Sequence, residues 1–220
     1  MSWQIDHVFF ATADADAAER EITQFGVTFT RRVAHHGQGT ANACAMFENA
    51  FFEILRPVEY QELRCANVRP LGLEERIHWR ETGACPFGVC FRPSDADGAL
   101  ASWPFETWRY EAAYLPTGAC IPIVTPVGCL AEPLVFLATK PRSVNHEMPL
   151  HRGAVRRLTG VKVVRVGSAS VVSQGVRWFS ENGYFSLADG AAHRLELEWN
   201  HGAEGNMHAF ADGLPIVLRW

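Results

Sequence analysis

Glu53 lies in the run Phe51-Phe52-Glu53-Ile54-Leu55, so that a carboxylate is surrounded by four large apolar neighbours. Burying it without compensation would cost several kcal/mol. A metal ion, a histidine, an arginine or its own proton must therefore meet it. His7 stands in Ile5-Asp6-His7-Val8-Phe9-Phe10-Ala11-Thr12, where strand alternation puts Ile5, His7, Phe9 and Ala11 on one face. An imidazole on an otherwise apolar face also needs a partner. Together the two side chains fit three roles: the start of a nitrogen- and oxygen-donor metal site, an acid–base pair, or a hydrogen-bonded structural pair.

A second polar constellation is HHGQGTANA, residues 35–43. Its glycines let the backbone turn tightly, and counting alternate residues puts His36, Thr40 and Asn42 on one side of a hairpin, with His35 pointing the other way. Such a face suits a polar ligand, and an ordinary solvated hairpin uses the same residues. Further along, His146 and His151 could return over the site and supply a third metal ligand. His201 and His208, in a glycine-rich turn, match no ligand spacing. The chain has no GxSxG, GxxxxGK[ST] or HExxH sequence, and no GxGxxG between a strand and a helix, so hydrolase, kinase and nicotinamide-dependent classes lack local support.

Elements able to position these residues follow from an internal repeat. His7 to Arg20 (HVFFATADADAAER) lies over Gly88 to Ala101 (GVCFRPSDADGALA) at an offset of 81 residues, each copy reading strand, turn and helix, with Asp14 and Asp95 as cap candidates. The first helix spans about Asp16 to Phe25 and stops at Gly26. Strands are predicted over Val27 to His35, Thr40 to Phe47 and Ala50 to Arg56, and in the second copy over Phe105 to Ala113, Ala119 to Val124 and Leu134 to Thr139. Aligning FFEILRP (51–57) with VFLATKP (135–141) gives an offset of 84 and sets Leu137 opposite Glu53. The chain divides into a first module at 1–57, a helical connector at 58–83, a degenerate second module at 84–141 and a carboxyl-terminal extension at 142–220. In that extension strands are predicted at Val161 to Val166, Arg194 to Trp199 and Leu214 to Trp220, with a helix at Val171 to Ser180.

With 220 residues and 48% apolar content the chain can bury a substantial core. A formal charge of −4, with no dense cluster of Lys and Arg, argues against nucleic acid as a partner. No basic leader precedes an apolar stretch and no run nears the length of a membrane span, so a cytoplasmic protein is expected. The six cysteines are irregularly spaced and form no CxxC pair, and we read them as reduced and mostly buried.

The stretches IDHVFFAT (5–12), HHGQGTANA (35–43), FFEILRP (51–57) and PFGVCFRP (86–93) resemble the vicinal oxygen chelate superfamily, in its glyoxalase-like branch. That resemblance implies an α+β fold of tandem βαβββ modules, of glyoxalase/bleomycin-resistance type, forming a cupped mixed sheet, here with a C-terminal α/β extension. It further implies a divalent metal (Fe, Mn, Ni or Zn) held by one residue from the first and one from the last strand of each module. His7 and Glu53 match those positions in the first module, whereas Gly88 and Leu137 stand there in the second. The function this implies is a small oxygen-bearing organic molecule bound in the cup by a metal-dependent lyase, isomerase or dioxygenase. The alternative is a non-catalytic sequestration protein. Either a monomer or a homodimer would complete the cup.

Overall fold

The structure, a computed structural model, describes residues 3–94, 103–138, 149–152, 155–167, 171–210 and 213–220. Its first unit is β1 (Trp3–Ala11), α1 (Ala15–Phe25), β2 (Arg31–His35), β3 (Thr40–Met46) and β4 (Phe51–Pro57). Asp14 takes the amino-terminal cap position of α1 without a side-chain cap bond, its carboxylate pairing instead with Arg80. Gly26 ends the helix in the left-handed conformation. Short helices α2 (Tyr60–Leu63), α3 (Leu73–Ile77) and α4 (Trp79–Thr82) make the connector, in place of the single helix expected. Then come β5 (Phe87–Pro93), β6 (Trp108–Tyr110), β7 (Ile121–Ile123) and β8 (Leu134–Leu137); the second helix expected after Asp95 falls outside the described residues.

These strands form one eight-stranded sheet in the order β2-β3-β4-β1-β5-β8-β7-β6. β1 runs parallel to β4 and β5 parallel to β8, while β1 and β5 pair antiparallel at the centre, so the two units face each other about the middle of the sheet. The tail makes a sheet of its own from β9 (Leu158–Val166), β10 (Ser186–Gly190), β11 (Arg194–Trp199), β12 (Met207–Ala209) and β13 (Ile216–Arg219), in the order β10-β9-β11-β13-β12, with α5 (Gln174–Glu181) between β9 and β10. β9 and β10 are parallel neighbours joined through that helix, a wiring different from the βαβββ units. The tail is thus neither a third module nor a continuation of the cup.

Two cores result from alternation in the central strands. One face of β1 and β4, with Val8, Phe10, Phe52 and Ile54, packs with Val163, Leu195 and Leu197 of the second sheet and Phe179 of α5. The other face, with Phe9, Ala11 and Leu55, meets Leu63, Leu71, Leu73 and Ile77 from the connector and Tyr110 and Ile123 from the second unit. The connector therefore covers part of the concave face.

It is locked there by Arg76, whose guanidinium is buried and donates to the carbonyls of Leu71, Cys85, Cys129 and Glu132 at 2.7 to 3.3 Å. The Glu132 carboxylate accepts from the Ser173 backbone and hydroxyl, both at 2.6 Å, tying the same loop to the start of α5. No helix among the described residues is long and apolar enough to cross a membrane. Truncating Arg76 to alanine strands buried carbonyls without donors, so Arg76→Ala should lower the unfolding free energy by about 3 kcal/mol, read from the urea midpoint. An unchanged midpoint would show that the guanidinium is not what holds the connector down.

Candidate functional site

The pairing register between β1 and β5 slips at Asp6: Ile5 lies opposite Phe91, and His7 opposite Cys90. Asp6 is the extra residue of a bulge, and a bulge re-aims the side chains beside it. Ile5 consequently packs with the outer core, while His7, Phe9 and Ala11 keep the concave face. This corrects the simple alternation that groups Ile5 with His7. The bulge also allows the consecutive side chains of Asp6 and His7 to touch: His7 Nδ1 lies 2.7 Å from Asp6 Oδ1, and the other Asp6 oxygen accepts from Arg92 at 3.2 Å.

His7 stacks on Phe51, with ring centres 4.3 Å apart, and meets Phe136 edge-on at 5.3 Å. Burial works against its imidazolium form. The negative field of Cys90 and Glu53, with the hydrogen bond to Asp6, overrides this and leaves His7 protonated well above the ordinary 6.5. Burial raises the Cys90 thiol, with His7 pulling the other way.

Glu53 is buried on β4 and accepts from Asn42 Nδ2 at 2.8 Å, with the Cys44 thiol 3.9 Å from the same oxygen. Asn42 is aimed by the β2 backbone, because its carbonyl oxygen accepts the Val33 N–H at 3.0 Å and its amide protons then face Glu53. Asn42 and Thr40 stand behind residues that line the cavity. His36, expected beside them, is exposed, and His35 and Gln38 line the cavity instead. The pairing explains it: His35 lies opposite Thr40 across a four-residue turn, and residues directly opposite share a face.

His7, Glu53, His35, Gln38 and Tyr114 give the polar groups of a cavity of about 180 Å³, whose other walls include Phe9, Leu55, Leu71, Tyr110, Ile123 and Phe136. His151 is elsewhere. Its Nδ1 accepts the Thr28 N–H and its Nε2 donates to the Met46 carbonyl, with its ring against Phe47 of the outer core. His146 lies outside the described residues. All six cysteines are free thiols, of which Cys44, Cys85 and Cys90 are buried.

Strand register fixes the second unit's counterparts of His7 and Glu53. His7 aligns with Phe51 across β1 and β4, as Gly88 does with Leu134 across β5 and β8. Glu53 therefore corresponds to Phe136, one residue before the Leu137 of the sequence alignment; Leu137 belongs to the outer core. A side chain at Gly88 has no room, since a Cβ there would come within 2.0 Å of the Phe9 ring. Donor atoms of Asp6, His7 and Cys90 do lie within 4.8 Å of one another. Asp6, however, is engaged by His7 and Arg92, and the Arg92 guanidinium at 3.2 Å opposes a second cation. The described residues do not fit a four-donor metal centre.

A βαβββ unit facing four further strands in one concave sheet, with a polar pair on its floor, defines the class of the protein: a cupped-sheet, glyoxalase-like fold. A family model described as a glyoxalase-like domain matches residues 5–109. Among solved structures, a hypothetical protein from Staphylococcus aureus is similar over 99% of this chain and 98% of its own, at 12% identity and a TM-score of 0.60, so the fold is shared with the second sheet included. Methylmalonyl-CoA epimerase from Streptomyces coelicolor, in complex with 2-nitronate-propionyl-CoA, overlaps 63% of this chain and 98% of its own, at 18% identity and TM-score 0.43. The epimerase from Mycobacterium tuberculosis overlaps 61% and 85%, at 17% identity and TM-score 0.36. No curated protein matches in sequence.

Because its folded pKa is raised, His7 contributes stability that is fully present below about pH 6.5 and is lost as the pH climbs through the elevated value. Removing the Asp6 charge in Asp6→Asn should lower the His7 pKa and move that loss to lower pH. Following the His7 ring by NMR alongside urea melts at several pH values tests this; an imidazole that titrates at or below 6.5 in the unaltered protein contradicts it.

Proposed function

We propose that the cup binds a compact, mainly apolar organic molecule through a carbonyl oxygen, and that His7 and Glu53 move a proton on it without a metal. The observation that carries this reading is the pairing of a cationic imidazole with a buried carboxylate on the floor of an apolar cavity. The His7 imidazolium would donate a hydrogen bond to the carbonyl oxygen. Glu53 would take a proton from the neighbouring carbon, the C–H electron pair would become the new carbon–carbon π bond, and the former carbonyl π pair would move to the oxygen. Returning the proton to either face, or to another carbon, completes an isomerisation. Asn42 holds the carboxylate in place. Phe9, Phe136 and Leu55 wall the site with apolar surface, which lowers the local polarity and strengthens the imidazolium–oxygen contact. Six free thiols favour a reducing, cytosolic setting.

Sequestration without chemistry is the second reading, favoured by the aromatic rings that fill the second-unit positions, Phe9 over Gly88 and Phe136 opposite Glu53. One assay separates the two. Small cyclic ketones incubated with the protein in D₂O should exchange their α-hydrogens, and Glu53→Gln should slow the exchange by about 100-fold with binding retained. His7→Ala should weaken binding and exchange together. Ketone binding without exchange would support sequestration, whereas stoichiometric metal lost on His7→Ala or Glu53→Ala would overturn the metal-free mechanism.

A further inference from the structure

The HHGQGT turn supplies a hydrogen-bond chain that the proton-moving pair does not use. The Tyr114 hydroxyl donates to Gln38 Oε1 at 3.3 Å, and Gln38 Nε2 donates to Thr40 Oγ1 at 2.7 Å. Thr40 Oγ1 lies 3.0 Å from His35 Nδ1, and Gln38 Nε2 approaches that same nitrogen at 3.5 Å. Since the Thr40 oxygen already accepts from Gln38, its own proton is directed to His35 Nδ1. Two donors thus face Nδ1, which must be the lone-pair nitrogen, and the ring proton belongs on Nε2. Burial keeps this imidazole neutral by pushing its pKa below 6.5, although Glu53 pulls upward. His35 lines the cavity.

The turn is rigidly built. Gly37 and Gly39 both have φ of +78°, and their N–H groups donate to one Glu62 carboxylate oxygen at 2.8 and 2.9 Å. The Gly39 carbonyl accepts from Val58 and Glu59, and a Cβ on Gly39 would come within 2.3 Å of the Glu59 carbonyl oxygen. Tyr110 makes a separate observation in the same cavity wall: its hydroxyl is buried, and no hydrogen-bond partner for it exists among the described residues. A buried hydroxyl is ordinarily satisfied. The cavity wall therefore carries an unpartnered buried hydroxyl away from the His7 and Glu53 pair.

We propose that His35 Nε2–H, with the Tyr110 hydroxyl, forms a second oxygen-binding subsite, so that the occupant is a compact apolar molecule carrying two uncharged oxygen functions, one for each polar locus. This rests on the reading of the cup as a small-molecule site. A neutral donor selects a carbonyl, ether or hydroxyl oxygen over a carboxylate, because it offers no charge to offset the desolvation of an anion.

Cyclohexanone and cyclohexane-1,4-dione are the probes, with one and two carbonyls on the same ring. The unaltered protein should bind the dione about 10-fold more tightly, a difference of about 1.4 kcal/mol. In His35→Phe the ratio of the two affinities should fall to about one, whereas His7→Ala should weaken both probes. Equal affinity of the two probes in the unaltered protein, or a preference that survives His35→Phe, overturns the proposal. Nitrogen-15 NMR of the histidine rings supplies a test that needs no ligand. His35 should be the neutral Nε2–H tautomer at pH 7, and Thr40→Val should release it into a mixture. An Nδ1–H tautomer or an imidazolium at His35 overturns the subsite even if the cup binds ketones. Failure of both probes to bind, with the Nε2–H tautomer present, instead defeats the carbonyl reading of the cup.

Discussion

A carboxylate and an imidazole buried together on an apolar sheet face constrain everything around them. Neither can be left in that environment without hydrogen bonds and an opposing charge. Glu53 receives Asn42, and His7 receives Asp6, each delivered by a local backbone device: the β2–β3 pairing that turns Asn42 inward, and the bulge that brings Asp6 to the same side as its neighbour. Arg92 closes the chain behind Asp6. The floor of the cup is thereby a charge-balanced arrangement, with an imidazolium that persists above its usual range because acidic groups outnumber other cations near it.

The surrounding fold makes that floor a cavity. Two facing four-stranded halves supply a sheet wide enough to curl, the connector covers part of its concave side, and buried Arg76 pins the connector to the loop before β8. The second sheet lies on the opposite face, where it removes Val8, Phe10, Phe52 and Ile54 from water. Stability resides chiefly in that outer core, which leaves the inner face free to carry polar groups that a core could not tolerate. The two units have diverged in use: the first holds His7, Glu53, His35 and Gln38, and the second contributes walls, with Phe136 and Ile123 facing the cavity beside the Tyr110 and Tyr114 rings.

Phe9 illustrates how this divergence is fixed sterically. Its ring occupies the space above Gly88, so neither position can change alone. A larger residue at 88 would collide with the ring, and a smaller one at 9 would open a void beside His7. The pair maintains an aromatic wall where a symmetrical protein of this fold would place a donor.

The strands of the first unit, Gly26 at the end of α1 and the burial of Glu53 on an apolar strand were all legible in the residues, because periodicity and side-chain polarity are local properties. What the sequence left undecided was parity. Counting alternate residues grouped Ile5 with His7, chose His36 over His35, and set Leu137 opposite Glu53; the structure differs at each by a single step. In a strand one residue of slip exchanges the two faces. The bulge at Asp6, the four-residue turn at His36 to Gly39 and the offset between the units are set by pairing with distant strands, so only the tertiary structure could decide them. The same holds for Asp6 and Arg92, 86 positions apart, whose contact with each other and with His7 no sequence spacing announces. From the sequence alone came the kind of fold and the strands that carry His7 and Glu53. Which side chains share its cavity was decided by register, because hydrogen bonding between strands, not the order of residues along one strand, determines which way each side chain points.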